Sequence, residues 1–295
     1  MEKKFLTSFK NRVTRRFKQT NIGNIIAFIL FLLYSFTMVY ALVWAFGSSL
    51  KDSIEYMRSK QSIFPQAWRF SNYIDAFELF EHNGTNLIGM FWNSIWLTLG
   101  QSAISMAVCT TTAYIMSKYK FVGRRVIEVI ILVSMMIPLY GSFSTTFKLY
   151  KTLGFYNSPL ILLASASGIG SMYYILKSFF QGVSWEYAEA AKIDGANELS
   201  IYLRIMLPIA WPAISSIFIV MLINGWNDYT TPVYYLPKFT TVAAGLYYYK
   251  TTAELNLQYP VYFAGVLMSC IPTLIMFLVF QEKIMNSITM GGLKE

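Results

Sequence analysis

Charged residues are missing from long stretches of this chain, and their absence has a regular spacing. Uncharged, strongly apolar runs cover Asn24 to Phe46, Met90 to Ser117, Pro159 to Leu176, Ile209 to Asn227 and Val261 to Gln281, and a sixth, Val126 to Phe147, is interrupted only by Glu128. None shows the alternation of apolar and polar faces that a surface helix of a soluble domain needs. Each has about the length an α-helix requires to cross ~30 Å of hydrocarbon at ~1.5 Å per residue. The pattern predicts an all-α, polytopic membrane protein with six transmembrane helices. Two spans carry an internal proline, Pro138 in the third and Pro272 in the sixth. A proline removes a backbone donor, so each is a kink and either a hinge or a packing feature. The fourth run, "LLASASGIGSM", is rich in small residues, and Gly168 and Gly170 predict close approach of another helix.

Composition supports the pattern and charge orients it. Only 13% of the 295 residues are charged, against about 25% in soluble domains. The net charge of +9 is concentrated. Lys3, Lys4, Lys10, Arg12, Arg15, Arg16 and Lys18 precede the first span, and Lys118, Lys120, Arg124 and Arg125 fill the short loop after the second. The connections 147–158 and 228–260 each hold just two basic residues. The positive-inside rule makes the first two regions cytoplasmic, and an even number of crossings then puts both termini inside. The basic arm is read as a topology signal touching anionic lipid, with no nucleic-acid partner. Its apolar sequel is too long for a secretory h-region, so the first span is expected to be uncleaved.

The expected divisions are a basic arm at 1–23, the first span with an outer loop at 24–89, a five-helix core at 90–285, and a tail at 286–295. The outer loop has short amphipathic runs, which predict a partly folded cap. His82, the only histidine, lies in it and is read as solvated. Cys109 and Cys270 fall inside spans and are read as small apolar residues, without disulfide or metal.

One segment interrupts the apolar sequence: 181–208, including "EYAEAAKIDGANELSIYLRIMLP". It predicts two short helices around a turn. Ser184 can cap the first, with Glu186 in its first turn. Gly195 can take the left-handed conformation that ends it. Asn197 can cap a second helix running to about Leu207, stopped or bent at Pro208. Ala188, Ala190 and Ala191 make the first helix slim, with Glu189 at its rim. Such a helix fits a groove in a partner, or lies as an amphipathic hairpin on lipid headgroups; the residues alone leave both open.

Glu189-Ala190-Ala191, three residues, Gly195, nine residues, then Ile205-x-Leu207-Pro208 resembles the cytoplasmic EAA motif of binding-protein-dependent ABC importer permeases, in the carbohydrate version. "FPQAWRFSNYIDAF", "AYIMSKYKFVGRR", "MMIP", "LGFYNSPL", Trp226-Asn227-Asp228 and a terminal "GGLKE" stand in the family's order, so the likeness spans nearly the whole chain. The ending Gly292-Leu293-Lys294-Glu295 departs from the family's usual Gly-Ala-Val-Lys-Gly.

The resemblance implies a type I importer permease in a bacterial cell membrane, similar to the smaller maltose-type subunit. Its implied partners are a second permease, cytosolic ATP-binding-cassette subunits and an extracytoplasmic solute-binding protein. It implies coupling to the ATPase through Glu189, Ala190, Ala191, Asp194, Gly195, Ile205, Leu207 and Pro208. No Walker motif is present, so the chain is expected to be non-catalytic, with no cofactor.

Asn224, Trp226, Asn227, Asp228 and Tyr229 are candidates for the substrate pathway, since amides and aromatics can bond and stack on a sugar. The asparagines are expected to be buried inside the fifth span, lining a pore or bonding between helices. A membrane-interface belt is the alternative for the aromatics. The rival classes are an ion-coupled secondary transporter and an importer of the same family for a non-sugar solute.

Overall fold

The computed structural model describes residues 22–137, 142–167, 170–256 and 258–290, with side chains described to Gln281. The basic arm, Pro138, Gly168 and the terminal segment lie outside the described residues, and so do the expectations attached to them.

The described residues are helical almost throughout. Helix α1 is Ile22–Ser49. A cap follows, built from α2 Ser53–Arg58, α3 Ser71–Leu79 and a short hairpin of β1 Glu81–His82 with β2 Thr85–Asn86. The hairpin pairs Glu81 with Asn86 and His82 with Thr85. It turns on Asn83-Gly84, both at positive φ (49° and 76°), the combination that matches the twist of paired strands. The expected outer cap is therefore folded. Lys51 pins it: its buried ammonium donates to the carbonyls of Ser59 (3.0 Å) and Ser62 (2.5 Å), and burial lowers its pKa.

Helix α4, Leu87–Lys118, starts where the Asn86 side chain accepts from Gly89 N–H. Then come α5 Arg124–Met136 and α6 Phe143–Thr152. A 3-10 segment, Pro159–Ser167, precedes α7 Ser171–Gly182. The polar loop follows as α8 Glu186–Ile193 and α9 Glu198–Ile201. Helix α10 Leu207–Asn227, α11 Thr230–Tyr235, α12 Val242–Leu255 and α13 Tyr259–Met290 complete the fold.

Among the described residues three helices are both long and apolar enough to cross a membrane: Gly23–Ser49, Glu198–Asn227 and Tyr259–Gln281. The bent pair Pro159–Ser167 and Ser171–Gly182 makes a fourth candidate. Helix α4 is long enough at about 48 Å, yet its sequence is too polar to meet the same measure. The reason lies in its neighbours. It packs on α7, α10, α12 and the 3-10 segment, with Ser94, Thr98, Ser102 and Thr110 buried. A helix sheathed by protein need not be greasy on every face. Ser94 Oγ accepts from Val242 N–H, so this polarity is used.

Two spans depart from a straight α-helix. The fourth is two helical segments that meet at 58°, with Gly170 at the break and, among the described residues beyond its chain neighbours, no atom within 4 Å of where a Cβ would point. Another helix does come close to this run at Gly100 of α4, where a Cβ would lie 2.8 Å from Leu162. Of the two outcomes expected at Pro208, a stop or a bend, the second loop helix does not stop. It passes through a π turn, Tyr202–Met206, into α10, with Leu207 N–H reaching back to the Tyr202 carbonyl. Pro208 has no N–H for the Arg204 carbonyl, and the widened turn relaxes the clash its ring would make there. At Pro272 the helix simply continues.

Helix α5 is tied to α7 by an ion pair the sequence had not suggested, Glu128 with Lys177. The lysine is buried while about a third of the carboxylate side is exposed. Breaking a dry pair from one side costs about 3–5 kcal/mol, and partial solvation lowers this, so Glu128→Gln should cost about 2 kcal/mol. Adding Lys177→Met should recover most of it. Melting of the detergent-purified complex checks this, and a double variant as unstable as the single would contradict it.

Candidate functional site

The polar loop is built by local rules. Ser184 Oγ accepts from Glu186 N–H at 3.2 Å, opening α8 as expected. Gly195 takes φ +82° and closes it. Ala196 N–H bonds to the Ala191 carbonyl (2.9 Å) and Gly195 N–H to that of Lys192 (3.0 Å), the paired bonds of a Schellman end. Asn197 Oδ1 then accepts from Ser200 N–H at 2.8 Å and starts α9. Caps and glycine together make a rigid helix–turn–helix.

The alanines do not all face a partner. Ala188 and Ala191 are buried against the chain's own core, with Tyr114, Tyr119, Phe180 and Trp185 nearby. Their smallness lets α8 lie close on the bundle. The free face carries Glu186, Tyr187, Glu189, Ala190, Ile193 and Asp194, all exposed. Ile193 is 87% exposed and Tyr187 56%. Leu199, on α9, is exposed beside them. Of the other expected site residues, Pro208 is exposed, and Ile205 and Leu207 are half-buried and pack on the same core.

Side chains fasten the loop to the end of α4. Tyr119 donates to Glu198 Oε2 at 2.5 Å, and Lys192 Nζ lies 2.6 Å from Glu198 Oε1. The Lys192 hydrogen bond and that of Tyr119 hold the Glu198 carboxyl below the usual carboxylate range. Burial, then the neighbouring carboxylate, pushes the Tyr119 phenol up, so it remains a donor. The group with the lowered pKa supports the loop above its ordinary value near 4.5 and loses that support as pH falls through the lowered value. Coupling in sealed vesicles is therefore expected to be flat from pH 6 to 8 so far as this carboxyl is concerned; a step there on Glu198→Gln-sensitive activity would contradict it.

The substrate-pathway candidates sit near the opposite end of the bundle and divide by role. Trp226 is buried and donates from Nε1 to the Ser269 carbonyl at 3.0 Å, tying α10 to α13. Asp228 Oδ1 accepts from Thr230 and Thr231 N–H, capping α11. Both therefore have structural employment. Asn224 and Asn227 are exposed on this chain, which corrects the expectation of buried amides: α13 covers the Trp226 face of α10, and the asparagines fall on the other. Tyr229 is exposed and stacks on Tyr247 at 5.2 Å.

A cavity of about 450 Å³, unsuspected from sequence, lies beside them and is lined by Phe80, His82, Met90, Gly245, Tyr248 and Thr252 among others. His82 stacks on Tyr248 at 3.7 Å and is only partly solvated, so burial lowers its pKa. The Asn-Gly turn was a legible signal for the hairpin, but nothing in the sequence linked His82 to Tyr248.

Among the described residues no cluster of His, Cys, Asp or Glu could hold a metal ion. Long apolar helices around a more polar central one, with a capped helix pair fastened to one end, are the architecture of an integral-membrane subunit. Residues 110–281, more than half the chain, match the family of the binding-protein-dependent transport system inner membrane component, and the chain belongs to that family.

Relatives agree along most of their length. The diacetylchitobiose uptake system permease protein of Streptomyces coelicolor is 27% identical over 90% of this chain and 87% of its own. The arabinooligosaccharides transport system permease protein of Bacillus subtilis is 27% identical over 95% and 99%. The galactooligosaccharides transport system permease protein of the same species is 28% identical over 91% and 94%. A chain of a bacterial ABC transporter involved in import of the acidic polysaccharide alginate superposes with a TM-score of 0.73 at 23% identity, covering 88% of this chain and 96% of that one.

Proposed function

We propose that this multi-pass bacterial membrane protein is one of two permease subunits of an ATP-driven importer that carries an oligosaccharide. In this scheme a solute-binding protein delivers the sugar from outside, and a pair of cytosolic ATPases drives the cycle through α8. The observation that carries it is the free face of α8, Tyr187-Ala190-Ile193 rimmed by Glu186, Glu189 and Asp194, on a helix otherwise bolted to the bundle. An apolar stripe with acids around it, left open in water, suits a protein groove better than solvent. The names of the relatives support a carbohydrate cargo.

The rest of the scheme follows the sequence divisions. The arm at 1–23 and tail at 286–295 are cytoplasmic, six spans cross the bilayer, and the loop 181–208 faces the cytosol. Nucleotide-driven closure of the ATPases draws the two α8 helices together and switches the spans from inward- to outward-facing. Moving such an equilibrium from 1:99 to 99:1 takes about 5.5 kcal/mol of differential binding. The exposed Asn224, Asn227 and Tyr229 face the pathway shared with the second permease.

The test is uptake of labelled oligosaccharides into vesicles holding both permeases, the ATPase and the binding protein. Uptake that requires internal ATP and the binding protein is expected. Uptake driven by a cation gradient without nucleotide would overturn it.

A further inference from the structure

We infer that Tyr119 and Glu198 are positioning residues that pass a displacement of α8 to α4, the helix at the centre of the bundle. The chain itself connects α8 only to α7 on one side and, through α9, to α10 on the other. No backbone joins it to α4, although α4 is the element that packs on α7, α10, α12 and the 3-10 segment alike. A push on α8 reaches that centre directly only through side chains.

Those side chains form a continuous set of contacts. The two oxygens of one carboxylate serve two helices at once: Glu198 Oε2 takes the Tyr119 phenol at 2.5 Å, and Oε1 takes Lys192 of α8 at 2.6 Å. Lys192 also lies over the Trp185 ring at 5.4 Å, and Trp185 meets Tyr119 edge-on at 5.7 Å. One turn back along α4, Tyr114 OH is 3.2 Å from Tyr119 OH, and its ring stacks on Tyr202 at 4.9 Å. Tyr202 OH in turn lies 2.9 Å from Thr111 Oγ1 of α4. Lys118 adds a bond to the Val183 carbonyl where the loop begins.

The loop is thus held to α4 at its entry, at its turn and at its exit. A charge-assisted bond at the turn, where α8 ends and α9 begins, resists rotation of α8 about its own axis as well as sliding. Removing it should let α8 follow the ATPase while α4 lags behind.

This rests on the proposed docking of α8 to an ATPase, and the test separates the two. In the full complex, Tyr119→Phe keeps the ring against Trp185 and Tyr114 and removes the hydroxyl with its bonds to Glu198 and Tyr114, while Glu198→Gln removes the charge that pairs with Lys192. Two quantities are read: ATPase retained on co-purification, and ATP hydrolysed per substrate imported. The ATPase is expected to remain bound as in the parent complex. The ratio is expected to rise about threefold to tenfold in each variant, with the double variant no worse than the worse single. An unchanged ratio with ATPase bound would overturn the link. Loss of ATPase from the Tyr119→Phe complex would also overturn it, since the contacts would then shape the docking face and not transmit. An ATPase that never binds the parent protein would instead sink the proposed function.

Discussion

Valine at position 195 is expected to cut substrate-stimulated ATP hydrolysis at least about tenfold while leaving binding-protein association intact. Gly195 sits at φ +82°, and among the described residues beyond its two chain neighbours no atom lies within 4 Å of where a Cβ would point. Space is therefore available and conformation is not: a β-branched residue strongly disfavours the left-handed region. Unwinding that residue would break the Ala196-to-Ala191 and Gly195-to-Lys192 bonds, turn α8 relative to α9, and separate Lys192 from Glu198. Asparagine tolerates the same backbone, so Gly195→Asn should keep coupling within about threefold. Stimulated hydrolysis in proteoliposomes measures both. Equal failure of Asn and Val would mean that a partner's backbone fills the open space, and unchanged coupling in the valine variant would contradict the role of the turn altogether.

The largest loss of stability should come from Gly47→Ala. A Cβ there would stand 1.8 Å from the Ile63 carbonyl oxygen and 2.9 Å from its carbon. These are backbone atoms, and they are not free to retreat. Trp44 Nε1 donates to the Lys60 carbonyl at 2.9 Å, and Lys51 holds the carbonyls of Ser59 and Ser62. Asn72 meanwhile clamps the carbonyls of Ser49 and Lys51. The added methyl must therefore pry the cap from the end of α1. About 3 kcal/mol or more is expected, at the upper end of overpacking costs. Limited proteolysis across 59–66 and melting of the purified complex should both report it, and a variant as stable as the parent would show that the cap yields without cost.

Some of this was legible before any coordinates. The caps of the polar loop follow from Ser184, Gly195 and Asn197 because capping is local: donor and acceptor lie within five residues of each other. The amide-glycine turn at Asn83-Gly84 and the apolar runs of α1, α10 and α13 belong to the same kind. What escaped the sequence depends on contacts between distant positions. The pairing of Glu128 with Lys177, the stacking of His82 on Tyr248 and the hold of Tyr119 on Glu198 bring together residues 49, 166 and 79 positions apart. The exposure of the asparagines of α10 was hidden for a related reason. Periodicity gives a helix two faces, but which one meets α13 is settled by Trp226 finding Ser269. The alanines likewise read as a groove-fitting surface, whereas Ala188 and Ala191 seat α8 on its own bundle and leave Tyr187 and Ile193 exposed.

Ile193 gives the most direct test of the mechanism. A cysteine placed there, with Cys109 and Cys270 replaced by alanine, can be challenged with a membrane-impermeant maleimide from either side of the membrane. Labelling only from the cytoplasmic side, suppressed when the ATPase is bound, is the expected result. Labelling from outside, or labelling indifferent to the ATPase, would contradict the claim that this helix is the point where ATP-driven motion enters the permease.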